Sequence, residues 1–173
     1  MSRKFLYYSL IVILILVVIL GVFFVKSSSK SDAIKFKKEY EKYNNSNLKL
    51  TISKNNPFVY RTEDKIVKIL NNNTGMIYLG NAKNDEYRNV LKTIMPLAKN
   101  NEVKKIFYLD IDKISNKKLK EYKNSNVCII FVISGEVIAT YITDDFKDNN
   151  IKKEINYYMQ QTFNDYCDET CDD

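Results

Sequence analysis

The segment MIYLGNAKNDEYRNVLK, residues 76–92, decides how the chain is expected to fold. It begins with a short apolar run of the kind found in buried strands. It then passes through a polar loop into a stretch whose apolar side chains recur at helical spacing. We therefore predict a strand over residues 76–80 and a helix over residues 85–99, with Asn84 as the helix N-cap.

The flanking sequence continues this alternation of strand-like and helix-like patterns. The predicted elements are a strand at 57–61, a helix at 62–73, a strand at 103–111, a helix at 116–123, a strand at 127–133, a strand at 137–143 and a helix at 146–163. A tight turn at 134–136 joins the last two strands into an antiparallel hairpin. The order predicts an α/β domain with a mixed central sheet and helices on both faces.

The first quarter of the chain differs in composition from the rest. Residues 5–25 are almost entirely apolar, and at about 1.5 Å rise per residue a helix of this length spans roughly 30 Å, the thickness of a bilayer core. The run ends in two phenylalanines and a valine, without the small residues of a signal-peptide cleavage site. We predict a short tail at 1–4 and a retained transmembrane anchor at 5–25, so the lipid bilayer is an expected partner.

The remaining chain divides into three predicted parts. Residues 26–54 form a juxtamembrane segment, in which 26–32 read as a polar, serine-rich linker. Within the same segment, residues 33–43 are predicted to form a helix. Residues 48–52 are predicted to form either part of a loop or a short strand. A single domain is expected over 55–165, followed by an acidic tail at 166–173.

The charge of the chain limits the classes of partner and chemistry. The net charge is +6, but the lysines are spread along the sequence and no nucleic-acid-binding module is present, so no nucleic-acid partner is expected. Histidine is absent, which removes the commonest general base and metal ligand. Asp85, Asp110 and Asp112 are expected to be solvated carboxylates rather than cation ligands, and no metal or cofactor is predicted.

Two features disagree about which side of the membrane holds the domain. The basic residues before the apolar run are Arg3 and Lys4, and those that follow it closely are Lys26, Lys30, Lys35, Lys37 and Lys38. Counted literally, this distribution places the domain in the cytoplasm, although long domains are translocated largely regardless of flanking charge. Because the cysteines of the tail favour an oxidising exterior, we expect a single-pass protein of the cell membrane with its domain outside the cytoplasm.

The three cysteines fall into two groups. Cys128 lies within the most β-branched run of the chain and is expected to be a small buried apolar residue. Cys167 and Cys171 lie four residues apart in the acidic tail, and a structural disulfide between them is expected. Free thiols, a displaced redox pair or a metal site shared between chains are the alternatives, and the nearby carboxylates should raise the thiol pKa values and slow a redox reaction.

The order of these segments resembles a known superfamily. The strings NPFVY, TGMIYLG, RNVLKTIMPLAK, KIFYLDI and IIFVISGEVIATY follow one another as in thioredoxin-like proteins. They resemble the membrane-anchored proteins of Gram-positive bacteria that are often labelled bacteriocin-transport accessory proteins. The resemblance covers residues 55–165 and implies a three-layer thioredoxin-like fold.

The resemblance also implies that this chain lacks the active-site residues of the family. In that family the corner before the long helix carries a C-x-x-C motif, whose two cysteines correspond here to Asn84 and Tyr87. A cis-proline that faces the redox pair corresponds to Val127, and a buried carboxylate corresponds to Tyr78. No catalytic residue is therefore expected, and the remnant corner, Asn84, Asp85, Glu86, Tyr87 and Val127, is the candidate binding site. An ordinary helix start is the alternative interpretation of the same residues.

The expected function follows from that loss. The resemblance implies a non-catalytic binding or accessory module for an envelope, secretion or transport process, with a protein or peptide partner. One alternative is a thiol–disulfide oxidoreductase that uses Cys167 and Cys171. Another is a structural subunit of a membrane complex.

Overall fold

The computed structural model of the protein describes residues 13, 30–148 and 150–163. Its helices are α1 (30–41), α2 (Glu63–Asn72), α3 (Asp85–Asn100), α4 (Lys117–Asn124) and α5 (Ile151–Phe163). Its strands are β1 (Phe58–Tyr60), β2 (Gly75–Gly80), β3 (Ile106–Asp110), β4 (Val127–Ile133) and β5 (Glu136–Ile142). Short 3-10 turns occupy Ile111–Lys113 and Thr143–Lys147.

The five strands form one mixed sheet in the order β1-β3-β2-β4-β5. Strands β1, β3 and β2 run parallel, β4 runs antiparallel to β2, and β5 runs antiparallel to β4. The predicted α/β class and mixed sheet are confirmed, and the order and directions of the strands are consistent with a thioredoxin-like arrangement. The predicted hairpin turn is formed by Ser134 and Gly135, both with positive φ (51° and 82°), as expected for a tight turn between antiparallel strands.

Both faces of the sheet are covered. All six residues of β2 are buried, as are the first six of β4, and successive side chains in a strand point to opposite faces. Helices α2 and α4 contact each other, and so do α3 and α5. We refer to the first pair as the α2/α4 layer and to the second pair, together with α1, as the α3 layer.

Helix α1 packs on the sheet through aromatic side chains. The ring of Phe36 stacks on Phe58 with their centroids 3.9 Å apart, and Tyr40 lies against Tyr78 and Tyr108. The helix includes residues 30–32, which the composition had assigned to a linker, and it ends at residue 41 rather than 43. Within residues 30–32, Asp32 makes a tertiary contact that composition does not indicate, because it accepts a hydrogen bond from the Tyr60 backbone N–H (3.1 Å).

The segment 48–52 is extended but does not join the sheet. Its residues alternate between buried and exposed, as in a strand, yet its backbone bonds to side chains of the preceding chain. Asn44 both accepts from the Leu50 N–H (2.8 Å) and donates to its carbonyl (2.9 Å). Glu41 accepts from the Ile52 N–H (2.8 Å), and Lys37 donates to the Ile52 carbonyl (2.7 Å). Side chains thus take the place of a neighbouring strand.

The predicted final helix is divided in two. Residues 143–147 form a 3-10 turn and the α-helix begins at Ile151. Asp145 accepts from the Ile142 N–H (2.8 Å), and Asp148 accepts from the Asn150 N–H (2.9 Å). Aspartate side chains that bind nearby backbone in this way compete with helix formation.

Some predictions fall on residues that the structure does not describe. The predicted anchor at 5–25 lies outside the described residues except for Ile13, and the tail with Cys167 and Cys171 lies outside them entirely. Within the described part of the chain, no helix is both long enough and apolar enough to cross a membrane.

Candidate functional site at the β2–α3 corner

The corner between β2 and α3 is built by asparagine side chains. Asn81 accepts a hydrogen bond from the Lys83 N–H (2.8 Å), which turns the chain at the end of β2. Asn84 then accepts from the Glu86 N–H (2.8 Å), so the predicted N-cap of α3 is confirmed. Asp85 and Glu86 lie in the first turn of the helix, where carboxylates interact favourably with the helix dipole.

Arg88 closes the corner from the side of the N-terminal segment. Its side chain is fully buried and forms an ion pair with Asp85. It also donates to the Asn44 side chain (2.9 Å) and to the Leu48 carbonyl (3.2 Å). Asn45 donates in addition to Asp85 (3.2 Å). Three hydrogen bonds therefore hold the chain around residues 44–48 over the first turn of α3.

Arg88 is a site residue that its own sequence environment does not mark. A charged residue in an amphipathic helix is usually solvated, and the groups that satisfy this one come from about 40 residues earlier in the chain. Among the described residues, its Nε atom is buried without a hydrogen-bond partner. The run of Asn44, Asn45 and Asn47 was the available signal, because side-chain amides are frequent partners of buried polar groups.

Tyr87 points inward at the position of the second cysteine of the motif. It is 6% exposed, and burial, followed by the nearby Cys128 thiol, raises its pKa to about 12. Its backbone carbonyl accepts a hydrogen bond from the hydroxyl of Tyr78 (2.8 Å). Burial likewise raises the pKa of Tyr78, so both groups stay protonated and neutral at physiological pH.

Val127 and Cys128 lie behind the corner, at the start of β4. Val127 is buried and opposes Ile142 of β5, and no peptide bond among the described residues is cis. Cys128 is fully buried, as predicted, and its thiol donates to the Tyr141 carbonyl (3.3 Å). Burial raises the pKa of this thiol, and the charge of Asp145 raises it further. A thiol held protonated in this way is a poor nucleophile.

The candidate residues therefore have two different environments. Asn84, Asp85 and Glu86 form the outer turn of the corner, with Asp85 and Glu86 exposed. Tyr87 and Val127 contribute to the core. The corner thus presents backbone and polar side chains to solvent, but none of the groups that perform thiol chemistry.

Two carboxylates near the corner form contacts with other side chains of the protein. Asp110 pairs with Lys113 (3.2 Å), and Asp112 accepts from the Asn81 side chain (2.9 Å). No group of three or more potential metal ligands occurs in the part of the chain that the structure describes. A small cavity of about 230 Å³ lies beside the corner, lined in part by Glu39, Tyr43, Asn81 and Lys83.

Comparisons with known proteins do not assign this chain to a family. A scan of protein-family models found no match, and a search of curated proteins found no significantly similar chain. The case for any function therefore depends on the residues and the geometry described above.

Proposed function

We propose that the protein is a membrane-anchored, thioredoxin-like protein that has lost the redox pair. It acts as a non-catalytic binding or accessory module in an envelope, secretion or transport process. The proposal rests on the two residues that occupy the cysteine positions of the β2–α3 corner. At the two positions where the resemblance expects cysteines, Asn84 caps a helix and Tyr87 is buried.

The strand order supports a three-layer thioredoxin-like fold. Three parallel strands, β1, β3 and β2, are followed in the sheet by an antiparallel hairpin. The long helix α3 starts at the carboxyl end of β2, the edge at which open α/β sheets usually bind ligands. Such a fold can keep a binding role after its chemistry is lost, because function depends on the site and not on the architecture.

A redox assay tests the non-catalytic part of the proposal. The wild-type protein in detergent is expected to show no reduction of insulin by dithiothreitol above background. The double variant Asn84→Cys/Tyr87→Cys is the positive control, because it restores the cysteine spacing of the family to the corner. Wild-type activity that disappears in Cys167→Ser would contradict the proposal and support the tail cysteines as a displaced redox pair.

The partner is proposed to be an extended polypeptide that meets the exposed part of the corner. Lys83 and Glu86 are exposed there, while the opposite flank is closed by residues 44–48. A photo-crosslinking amino acid at Lys83 should therefore capture a discrete partner in cells. The same group at Lys68, an exposed lysine of α2, is the matched control in the other layer. Identical products from both positions would contradict a partner bound at the corner.

The membrane anchor and the extracytoplasmic location are further parts of the proposal. They rest on the apolar run at 5–25. Maleimide–polyethylene glycol labelling of intact cells, with and without an impermeant reductant, tests both. Labelling of Cys167 and Cys171 that requires reduction but not lysis would support an outside domain with a tail disulfide. Labelling that requires lysis but not reduction would place the domain in the cytoplasm, as the literal count of flanking charges suggests.

A further inference from the structure

We propose that the cleft at the C-terminal end of α3 is the docking site for the acidic C-terminal segment, residues 164–173. This inference is independent of the membrane anchor and of any partner at the β2–α3 corner. Three observations support it, namely the composition of the cleft, the direction of α5 and the charges of the two surfaces.

The cleft has a volume of about 510 Å³, more than twice that of the cavity beside the corner. Its apolar lining includes Pro57, Met95, Ala98 and Val103, and the cationic side chains of Lys99 and Lys104 contribute to its rim. Both lysines are exposed. Neither belongs to an ion pair among the residues that the structure describes. The cleft therefore offers an apolar floor beside two available positive charges.

Helix α5 packs along α3, and the segment that follows α5 is long enough to reach this cleft. The 3-10 turn that precedes α5 contacts α3, as does the middle of α5, where the Asn101 side chain donates to Asn156 (2.8 Å). Asn101 is the C-cap of α3 and directly precedes Glu102, which lines the cleft. From Asn156 to the end of α5 at Phe163 the helix advances roughly 10 Å. Ten further residues reach at most about 35 Å, so the cleft is within range.

The charges of the segment complement those of the cleft. Residues 164–173 contain five acidic residues, Asp165, Asp168, Glu169, Asp172 and Asp173, and no basic residue. The segment also carries Tyr166, whose ring fits an apolar floor. Covalent attachment raises the effective concentration of such a segment into the millimolar range, so that weak exposed ion pairs can favour docking.

A crosslinking experiment on the full chain in detergent tests the proposal. In a Cys171→Ser background, Asn55→Cys places a thiol in the lining of the cleft. Asn89→Cys places one on an exposed position nearer the other end of α3. Mild oxidation should join Cys167 to the thiol at position 55 much faster than to the thiol at position 89. Equal rates would overturn the proposal.

Charge variants establish whether the two lysines are responsible. Lys99→Glu/Lys104→Glu should slow the crosslink at position 55 by about fivefold, and so should 0.5 M salt, at which the Debye length is only about 4 Å. Lys152→Glu/Lys153→Glu makes the same change of charge on exposed residues of α5 that are closer in sequence to the tail, and it should have no effect. Glu102→Gln removes the one acidic side chain of the cleft and should accelerate the reaction. An equal loss in both double variants would mean non-specific attraction and would contradict a defined docking site.

Discussion

The two ends of helix α3 differ in almost every respect. At its N-terminal end, a buried arginine and two asparagines tie the helix to the chain around residues 44–48. At its C-terminal end, exposed lysines border an open cleft. The corner proposed to have lost a redox pair is thus held by internal contacts, whereas the cavity at the other end of the helix is larger.

The strongest test of this comparison is the substitution Arg88→Met. Methionine keeps most of the volume but removes the three hydrogen bonds that Arg88 donates, to Asp85, to Asn44 and to the Leu48 carbonyl. We expect the free energy of unfolding to fall by about 2–4 kcal/mol, measured by urea denaturation. The control Lys92→Met makes the same loss of charge at an exposed position of α3 and should change the free energy of unfolding by less than about 1 kcal/mol. A small effect of Arg88→Met would show that the corner is not held by this residue.

A second test compares two glycines of β2 that face opposite layers. A Cβ at Gly80 would lie 2.4 Å from the Tyr40 hydroxyl and 2.5 Å from the Tyr78 ring, both fully buried. A Cβ at Gly75 would lie 2.7 Å from the edge of the half-buried Phe107 ring. Gly80→Ala should cost about 1–3 kcal/mol, and Gly75→Ala should cost less because Phe107 can shift. Thermal unfolding of both variants measures the difference, and equal losses would contradict this account of the two layers.

A third test concerns the C-terminal end of α3, where a substitution is expected to raise the free energy of unfolding rather than lower it. Glu102 has a φ of 52°, and the Val103 N–H bonds to the Ala98 carbonyl (2.9 Å) in the pattern of a helix C-cap that favours glycine. Glu102→Gly should therefore stabilise the protein by up to about 1 kcal/mol. The midpoint of urea unfolding measures the effect. The exposed variant Glu121→Gly on α4 should instead destabilise the protein, because that residue is helical.

The smallest expected effect is on the acid sensitivity of the extended segment 48–52. Burial raises the pKa of the Glu41 carboxyl, but hydrogen bonds from Lys37 and from the Ile52 N–H lower it below its ordinary value. The lowered pKa means that Glu41 contributes stability above the unfolded pKa of about 4.3, and that this contribution is lost as the pH falls through the folded value. Melting temperatures between about pH 3 and 6 should therefore vary less in Glu41→Gln than in the wild type. An identical pH dependence would argue against this hydrogen-bonded carboxylate.

The elements of the sheet were predictable because their signals are local. Strand β4 was predicted with its observed bounds since it is a continuous β-branched run, and α3 followed from its apolar spacing and its cap. Residues 30–32 and 48–52 were harder to assign, because their conformations depend on Tyr60, Glu41 and Asn44 rather than on their own composition. A periodic pattern shows which side chains are buried. It does not show whether the backbone N–H and C=O groups form hydrogen bonds with a neighbouring strand or with side chains.

The features of the candidate site also differ in whether they could be predicted from the sequence. The cap at Asn84 and the burial of Cys128 could be read from the sequence, since each depends on its own element. The role of Arg88 could not, because a buried charge becomes favourable only when distant groups pair with it. The cleft at the C-terminal end of α3 could not be predicted from the sequence either. It is formed by residues 53–57 and 95–104, which meet only in the folded chain.

The extended segment held by side chains of α1 has a consequence for the order of folding. Its hydrogen bonds join residues no more than 15 positions apart, so little loop entropy opposes their formation. They are available as soon as residues 37–52 leave the ribosome. The apolar side of the same unit, with Phe36 and Tyr40, can pack on Phe58 soon afterwards, but its contacts with Tyr78 and Tyr108 form only after those residues have been synthesised. During synthesis the aromatic side chains of this unit therefore remain without their full set of contacts for several seconds, at the usual rate of about 5–20 residues per second.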